Sequence, residues 1–265
     1  TSFPEIFVGI SSIVNNTEEI ALGTIVGSNI SNIALIFGVS LVGYSTAINP
    51  SSKRNFIALG LSVLVAIYAL SDLIISNFDS LMLLAVLTYF IYIMAIQPNS
   101  DEIVVEQNNS SYLNLSIFLI IGLLSITIGS NYAVINGEKI AFLIGIPKLI
   151  IGLTVLAIGT SLPELAVTIS ALMKQKNQMV LGNIIGSNVL NIAVVMPILG
   201  LFSAKSFDPS IITRDMSVMT ILSLIFVMIA LSFNYKNIPI NVYRLIGIIL
   251  VSSYIIYIGI LGGLL

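Results

Sequence analysis

Two glutamates, Glu5 and Glu164, are the residues best suited to chemistry, because each lies in an apolar stretch without a nearby Lys or Arg. A carboxylate at the centre of a bilayer costs several kcal/mol, so an intramembrane Glu indicates a functional site. The structural alternative is a protonated Glu hydrogen-bonded to a neighbouring helix. In both places a Pro directly precedes the Glu, and a Thr and a Ser stand four and three residues before it. These side chains offer hard oxygen ligands at close quarters.

The composition excludes several kinds of chemistry. The 265-residue chain is 57% hydrophobic and 8% charged, with a net charge of −2 and no His, Cys or Trp. A soluble domain carries about 25% charged residues, so the sequence predicts a polytopic membrane protein. Without His or Cys there is no imidazole catalysis, no thiolate and no ligand that softer metals prefer. Scattered Lys and Arg exclude nucleic acid as a partner.

The chain divides into apolar segments long enough to be membrane helices, which need about 20 residues. The predicted spans are 20–43, 56–75, 80–97, 112–130, 146–173, 179–202, 216–233 and 242–265, preceded by an apolar stub at 3–14. Runs such as 117–121 do not alternate apolar with polar residues, which argues against a transmembrane β-barrel. The expected fold is all-α and transmembrane, with eight full spans and a stub.

An internal repeat relates two parts of the sequence. Residues 1–32 align with 160–191 without a gap, and fourteen of the 32 positions are identical. The identities include Pro, Glu, Gly, Ser and Asn rather than only apolar residues. The second copy lies five segments after the first, and this odd step predicts that the two cross the membrane in opposite directions. Inverted repeats of this kind are typical of secondary transporters with a site near the membrane midplane.

The repeat also predicts the domain organisation. Residues 1–97 form a first inverted repeat that lacks its first helix and half of its second, residues 98–111 form a polar linker, and residues 112–265 form the second repeat. By comparison with the second copy, about 45 to 50 residues are expected to precede Thr1. The complete protein would then have ten helices, five in each repeat.

The second half of each repeated motif carries Gly-x-x-x-Gly followed by Ser, Asn and a further Asn. The glycines alone are explained by helix packing in membranes. Ser28 and Asn32 are four residues apart and share one helix face, as do Ser187 and Asn191. Pro163 is expected to loosen the turn at 157–160 and to free carbonyl oxygens there. Carboxylate, hydroxyl, amide and carbonyl oxygens suit Ca²⁺ or Na⁺.

These motifs resemble those of a known family. The runs Thr160-Ser161-Leu162-Pro163-Glu164 and Gly182-Asn183-Ile184-Ile185-Gly186-Ser187-Asn188, with Asn191, are similar to the second signature repeat of the calcium/cation antiporter superfamily, especially its sodium/calcium exchangers. Residues 1–5 and 23–32 resemble the first. The resemblance implies a non-enzymatic antiporter without a cofactor, in which Glu5 and Glu164 ligate Ca²⁺ and share Na⁺ ligation. The further implied ligands are Thr1, Ser2, Ser28, Thr160, Ser161, Ser187 and the Ala157 carbonyl.

One departure from the family pattern concerns Asn191, where many relatives have Asp. Asn32 and Asn191 then form a symmetric amide pair, and only two carboxylates remain in the core. One Ca²⁺ would neutralise both glutamates, whereas three Na⁺ would leave a charge of +1, so an exchange of three for one would be electrogenic. The departure leaves the coupling ion open, since protons could bind Glu5 and Glu164.

The leading hypothesis is Ca²⁺ exchange for Na⁺ by alternating access. The alternatives are an exchanger of protons for Ca²⁺ or another divalent cation and, from another class, a passive cation channel lined by the Glu pair. An intramembrane hydrolase is disfavoured because Ser161 and Ser187 have no His or Lys base nearby. The expected partners are inorganic cations and the lipid bilayer, with no obligatory protein partner evident. The expected location is a multi-pass position in a prokaryotic plasma membrane.

Overall fold

The computed structural model describes residues 2–43, 53–96, 112–174, 176–203, 205–233 and 238–263. Thr1 and the predicted linker at 98–111 lie outside these ranges. Within them the chain is helical, apart from one isolated bridge between Ile74 and Ser206. The described helices are α1 (Phe3–Val14), α2 (Glu18–Val42), α3 (Lys53–Ala69), α4 (Asn77–Ile96), α5 (Tyr112–Ile144), α6 (Lys148–Met173), α7 (Asn177–Leu190, continued by Asn191–Val195 and Met196–Phe202), α8 (Ile211–Ser232) and α9 (Ile240–Leu261).

The helices confirm the all-α transmembrane class. Seven of the described helices are long and apolar enough to cross a bilayer, and α1 and α3 are shorter. The segment predicted at 56–75 ends earlier than expected. Its helix, α3, ends at Ala69 after 17 residues.

The early end of α3 has a local cause. Leu73 has a positive φ of 67°, which a helix does not allow, and the Asp72 carboxylate accepts the backbone N–H of Ile74 at 3.1 Å. The Leu73 carbonyl in turn accepts the Phe207 N–H at 2.8 Å. The apolar residues up to Ile75 thus belong to a packed loop, which hydropathy alone does not distinguish from a helix.

Two other predicted boundaries were wrong. The segment predicted at 112–130 forms a helix of 33 residues that reaches Ile144, because its polar residues Glu138 and Lys139 lie within the helix rather than ending it. The segment predicted from 216 begins at Ile211, where a π-helical stretch, Ile211–Met216, precedes the regular helix. In both cases the observed helix extends beyond the predicted segment and includes charged residues.

The two helices that carry Gly-x-x-x-Gly occupy the centre of the molecule. In the most apolar stretch of α2, 83% of residues are buried, and the corresponding value for α7 is 72%, against 13% for α5. The first copy packs tightly, because a Cβ at Gly27 would lie 2.6 Å from the Leu153 carbonyl oxygen of α6, and one at Gly23 or Gly152 would overlap facing backbone. Close approach of backbones explains these glycines.

Regular helical geometry is interrupted at related places. Asn32–Phe37 in α2 and Asn191–Val195 in α7 are π-helical, and both begin at the last Asn of the repeated motif. In α6 a further π-helical stretch, Gly152–Leu156, is followed by a break at Ser161. Single π-helical turns occur mostly at functional sites. These three π-helical stretches lie at or next to residues that the repeat singled out, and a fourth, Ile211–Met216 in α8, lies outside the repeated motifs.

Candidate cation site

Both glutamates lie in the first turn of a helix. Glu5 follows Pro4 at the start of α1, and Glu164 follows Pro163 at the start of the second part of α6, Leu162–Met173. Each side chain is 1% exposed. A helix N-terminus carries a partial positive charge, which favours an ionised carboxylate there. The sequence therefore directs two buried carboxylates into the same interior region from two helix ends.

Hydroxyl groups from the two copies meet between these carboxylates. The Ser2 and Ser187 hydroxyl oxygens are 2.9 Å apart, and those of Ser28 and Thr160 are 3.1 Å apart. The Ser187 hydroxyl also donates to Glu164 Oε1 at 3.0 Å. Each of these contacts except the last joins one repeat to the other. The site is thus shared between the copies rather than duplicated.

The Asn side chains form two related amide contacts across the same interface. Asn32 Nδ2 donates to Asn188 Oδ1 at 2.9 Å, and Asn191 Nδ2 faces Asn29 Oδ1 at 3.5 Å. Asn32 Nδ2 also donates to the Ser187 hydroxyl at 3.2 Å. In both cases the amide nitrogen is turned to a partner, which leaves the amide oxygen available.

Five buried oxygens of the predicted site accept no hydrogen bond of normal geometry in the described structure, although the Ser28 and Thr160 hydroxyls lie close to Glu5. They are both carboxylate oxygens of Glu5, Oε2 of Glu164, and the amide oxygens of Asn32 and Asn191. Buried polar atoms are hydrogen-bonded in the great majority of cases, so such a group needs an explanation. All five are acceptors, and one donor of the same cluster, Asn188 Nδ2, is also without a partner in the described structure. A bound cation satisfies acceptors of this kind, whereas an anion does not.

The turn before Pro163 differs from the expectation. The interruption in α6 lies at Ser161, one residue after the predicted turn at 157–160. The Ala157 carbonyl is not free, since it accepts the Ser161 N–H at 3.1 Å and faces the Thr160 hydroxyl at 3.4 Å.

The structure brings the described members of the predicted site together in the interior. All ten are buried: Ser2, Glu5, Ser28, Asn32, Ala157, Thr160, Ser161, Glu164, Ser187 and Asn191. The eleventh, Thr1, lies outside the described residues. Sequence reasoning missed the bridging roles of Asn29 and Asn188, although both are identities of the repeat. It also missed Ser31, which has no hydroxyl counterpart in the second copy.

A further buried acid lies outside this site. Asp215 in α8 is fully buried, but Arg214 Nε and Nη2 donate to its two oxygens at 2.7 and 3.0 Å, and the Tyr257 hydroxyl donates at 2.8 Å. Its charge is therefore compensated within the protein. The contrast with Glu5 is instructive, because a paired carboxylate needs no external cation. The fold and the donor-free oxygens together define a membrane cation transporter.

Comparison with known proteins gives the family. The model of the sodium/calcium exchanger protein family matches residues 1–96 and 114–263. The chain belongs to this family, and is thus a membrane cation exchanger. It is 33% identical to the inner membrane protein YrbG of Escherichia coli (strain K12), over 98% of this chain and 82% of that protein. It is 30% identical to the sodium/calcium exchanger MaX1 of Methanosarcina acetivorans, over 98% of this chain and 85% of that protein.

Solved structures agree with this assignment. The sodium-calcium exchanger NCX_Mj, soaked with Na⁺ and Sr²⁺, superposes with a TM-score of 0.69 at 30% identity. The alignment covers 97% of this chain and 82% of that one. The predicted family, transmembrane class and membrane location are confirmed by these findings.

Proposed function

We propose that the protein exchanges Ca²⁺ for Na⁺ by alternating access, with the cations bound between a first repeat at 1–97 and a second at 112–265. The observation that carries this proposal is the set of five donor-free oxygens on Glu5, Glu164, Asn32 and Asn191. Ca²⁺ takes six to eight oxygen ligands, and the neighbouring hydroxyls raise the supply to that range.

Two kinds of ligand support two kinds of cation. The carboxylates provide the charge that a divalent ion needs, and they are proposed as Ca²⁺ ligands shared with Na⁺. The flanking groups are neutral and are proposed as Na⁺ ligands: Thr1, Ser2, Ser28, Thr160, Ser161, Ser187 and the Ala157 carbonyl. A proton would require only the carboxylates, so this ring of neutral oxygens favours Na⁺ over H⁺ as the coupling ion. The relative MaX1 is named a sodium/calcium exchanger, which is consistent with Na⁺ as the coupling ion.

Ca²⁺ uptake into proteoliposomes that contain the complete protein tests the proposal. An outward Na⁺ gradient should drive uptake, and an outward proton gradient should not. Glu164→Gln should abolish uptake, whereas Glu19→Gln, at a partly exposed acid outside the site, should leave it intact. Uptake driven by protons alone would favour the H⁺/Ca²⁺ alternative. Uptake without any counter-ion would indicate a channel and overturn the exchanger.

The charge of the pocket gives a second test. With both glutamates ionised, one Ca²⁺ neutralises the site and three Na⁺ leave it at +1, so exchange at this ratio moves net charge. A membrane potential then acts with about 2.3 kcal/mol per elementary charge per 100 mV. A potential imposed with K⁺ and valinomycin should accelerate uptake in one direction and slow it in the other. Rates independent of the potential would contradict the ratio of three to one.

A further inference from the structure

Ser31 breaks the symmetry of the hydroxyl contacts. The repeat pairs Ser2 with Ser161 and Ser187 with Ser28, so the 2.9 Å contact between Ser2 and Ser187 predicts an equivalent contact between Ser161 and Ser28. The structure differs, because the Ser161 hydroxyl accepts a hydrogen bond from Ser31 at 2.8 Å. Ser28 contacts Thr160 instead. The position equivalent to Ser31 in the second copy is Leu190, which has no polar group.

The Ser31 hydroxyl forms its shorter hydrogen bond with another helix rather than within its own. Ser31 is fully buried in α2, and its hydroxyl is 3.3 Å from the Ser28 carbonyl, the usual local acceptor for a helical Ser. The contact with Ser161 of α6 is shorter by half an ångström. The buried hydroxyl of Tyr254 in α9 lies beside Ser31. Ser31 therefore ties the interrupted point of α6 to α2.

This contact makes the two flanks of the site chemically different. The flank at Ser161 contains four hydroxyls, those of Ser28, Ser31, Thr160 and Ser161. At the other flank, Asn32 Nδ2 donates to the Ser187 hydroxyl, and an amide N–H is directed at an oxygen that a cation would need. A hydroxyl can turn its hydrogen away from a cation, but an amide donor of fixed orientation cannot. The flank with Ser31 is the better place for a monovalent ion.

We propose that Ser31 is a positioning residue that holds the Ser161 hydroxyl, and so makes the flank formed by Ser28, Thr160 and Ser161 the tighter of the two positions for Na⁺. This proposal rests on the proposed function of Na⁺-coupled exchange. Ser31 acts through Ser161, and Ca²⁺ between the carboxylates does not depend on it. The loss of Ser31 should therefore affect Na⁺ and Ca²⁺ differently.

The test is Ser31→Ala in the complete protein, measured as Na⁺-driven Ca²⁺ uptake. The Na⁺ concentration at half-maximal uptake should rise about three- to tenfold, the range expected for one hydrogen bond between membrane helices. The Ca²⁺ concentration at half-maximal uptake should stay within about twofold. Ser31→Thr, which keeps the hydroxyl, should recover most of the Na⁺ dependence.

Ser40→Ala is the matched control, because Ser40 is also buried in α2 and its hydroxyl donates only along its own helix, to the Phe37 carbonyl at 2.7 Å. It should change neither half-saturation value. Equal shifts for Na⁺ and Ca²⁺ in Ser31→Ala, or no shift at all, would overturn the role of Ser31 while leaving exchange intact. An unmodified protein without Na⁺ dependence would instead overturn the proposed function, and the proposal for Ser31 with it.

Discussion

The two copies of the motif share their Glu, Ser and Asn site residues but have different surroundings. Glu164 accepts a hydrogen bond from Ser187, whereas Glu5 accepts none in the described structure. Gly23 and Gly27 face the backbone of α6 closely, but a Cβ at Gly182 or Gly186 would meet nothing within 4 Å. A repeated sequence thus determines which atoms reach the site. Packing outside the repeat determines how tightly each copy is held.

Replacing either carboxylate has the largest expected effect and tests whether the copies are equivalent for Ca²⁺. Glu5→Gln and Glu164→Gln should each weaken Ca²⁺ binding by about 100-fold or more, because removing one charge from a buried charged cluster costs about 3 to 5 kcal/mol. Isothermal titration of the purified protein in detergent measures this. A loss confined to one glutamate would show that only one copy ligates the divalent ion.

The glycines test the difference in packing. Gly27→Ala places a methyl group 2.6 Å from the Leu153 carbonyl oxygen and should lower the free energy of unfolding by about 1 to 3 kcal/mol. Gly186→Ala in the same 265-residue chain should change it by less than about 0.5 kcal/mol. Denaturation in mixed micelles, followed by circular dichroism, gives both values. Equal losses would mean that Gly186 also faces backbone at close range.

The amide pair gives a smaller difference. Asn32 Nδ2 donates to two oxygens, at 2.9 and 3.2 Å, whereas Asn191 Nδ2 makes one contact at 3.5 Å. Asn32→Asp should therefore cost about 1 to 2 kcal/mol of unfolding free energy, and Asn191→Asp less than 1 kcal/mol. Both variants can be compared in the same denaturation assay. A greater loss of unfolding free energy in Asn191→Asp would show that the contact of Asn191 with Asn29, although longer, contributes more to stability.

The smallest expected effect is at the start of α2. Glu18 lies there, outside the candidate site, and forms an ion pair with Lys205 Nζ at 2.7 Å. The equivalent residue in the second copy is Asn177, which cannot form this ion pair. Lys205→Gln should cost about 0.5 to 1 kcal/mol, because Lys205 is half exposed. The loss should shrink in 1 M choline chloride, since salt screens the pair. The exposed Lys139→Gln is the control, and an equal loss there would exclude a specific contact.

Much of the fold could be predicted because the bilayer constrains it. Hydropathy located most helices, and the identities of polar residues in the repeat located the site. Central and peripheral helices could not be separated in this way, since α2 and α5 are similarly apolar but 83% and 13% buried in their most apolar stretches. In a bilayer the lipid-facing and protein-facing sides of a helix are both apolar. Closely packed glycines mark one of the central helices, α2, through Gly23 and Gly27.

Some details of the site could not be predicted from the sequence, for a different reason. Ser31 lies at one of the positions where the copies differ, so a search for identities passes over it. The break at Ser161 and the contacts of the Ala157 carbonyl depend on backbone geometry, which Pro163 restricts without determining. Asp215 lies in an apolar segment like Glu5, and only its adjacent Arg214 shows in the sequence that its charge is compensated. Symmetry predicts shared features well and individual ones poorly.

The five donor-free oxygens have a thermodynamic consequence. A cation that occupies a pocket of unmatched acceptors satisfies them, so ions that bind the native state add to its stability by linkage. Binding at 100 times the dissociation constant contributes about 2.7 kcal/mol. The melting temperature of the purified protein should therefore rise with Ca²⁺ and fall with a chelator, and this dependence should vanish in Glu5→Gln. Heat resistance becomes a direct measure of which ions the pocket accepts.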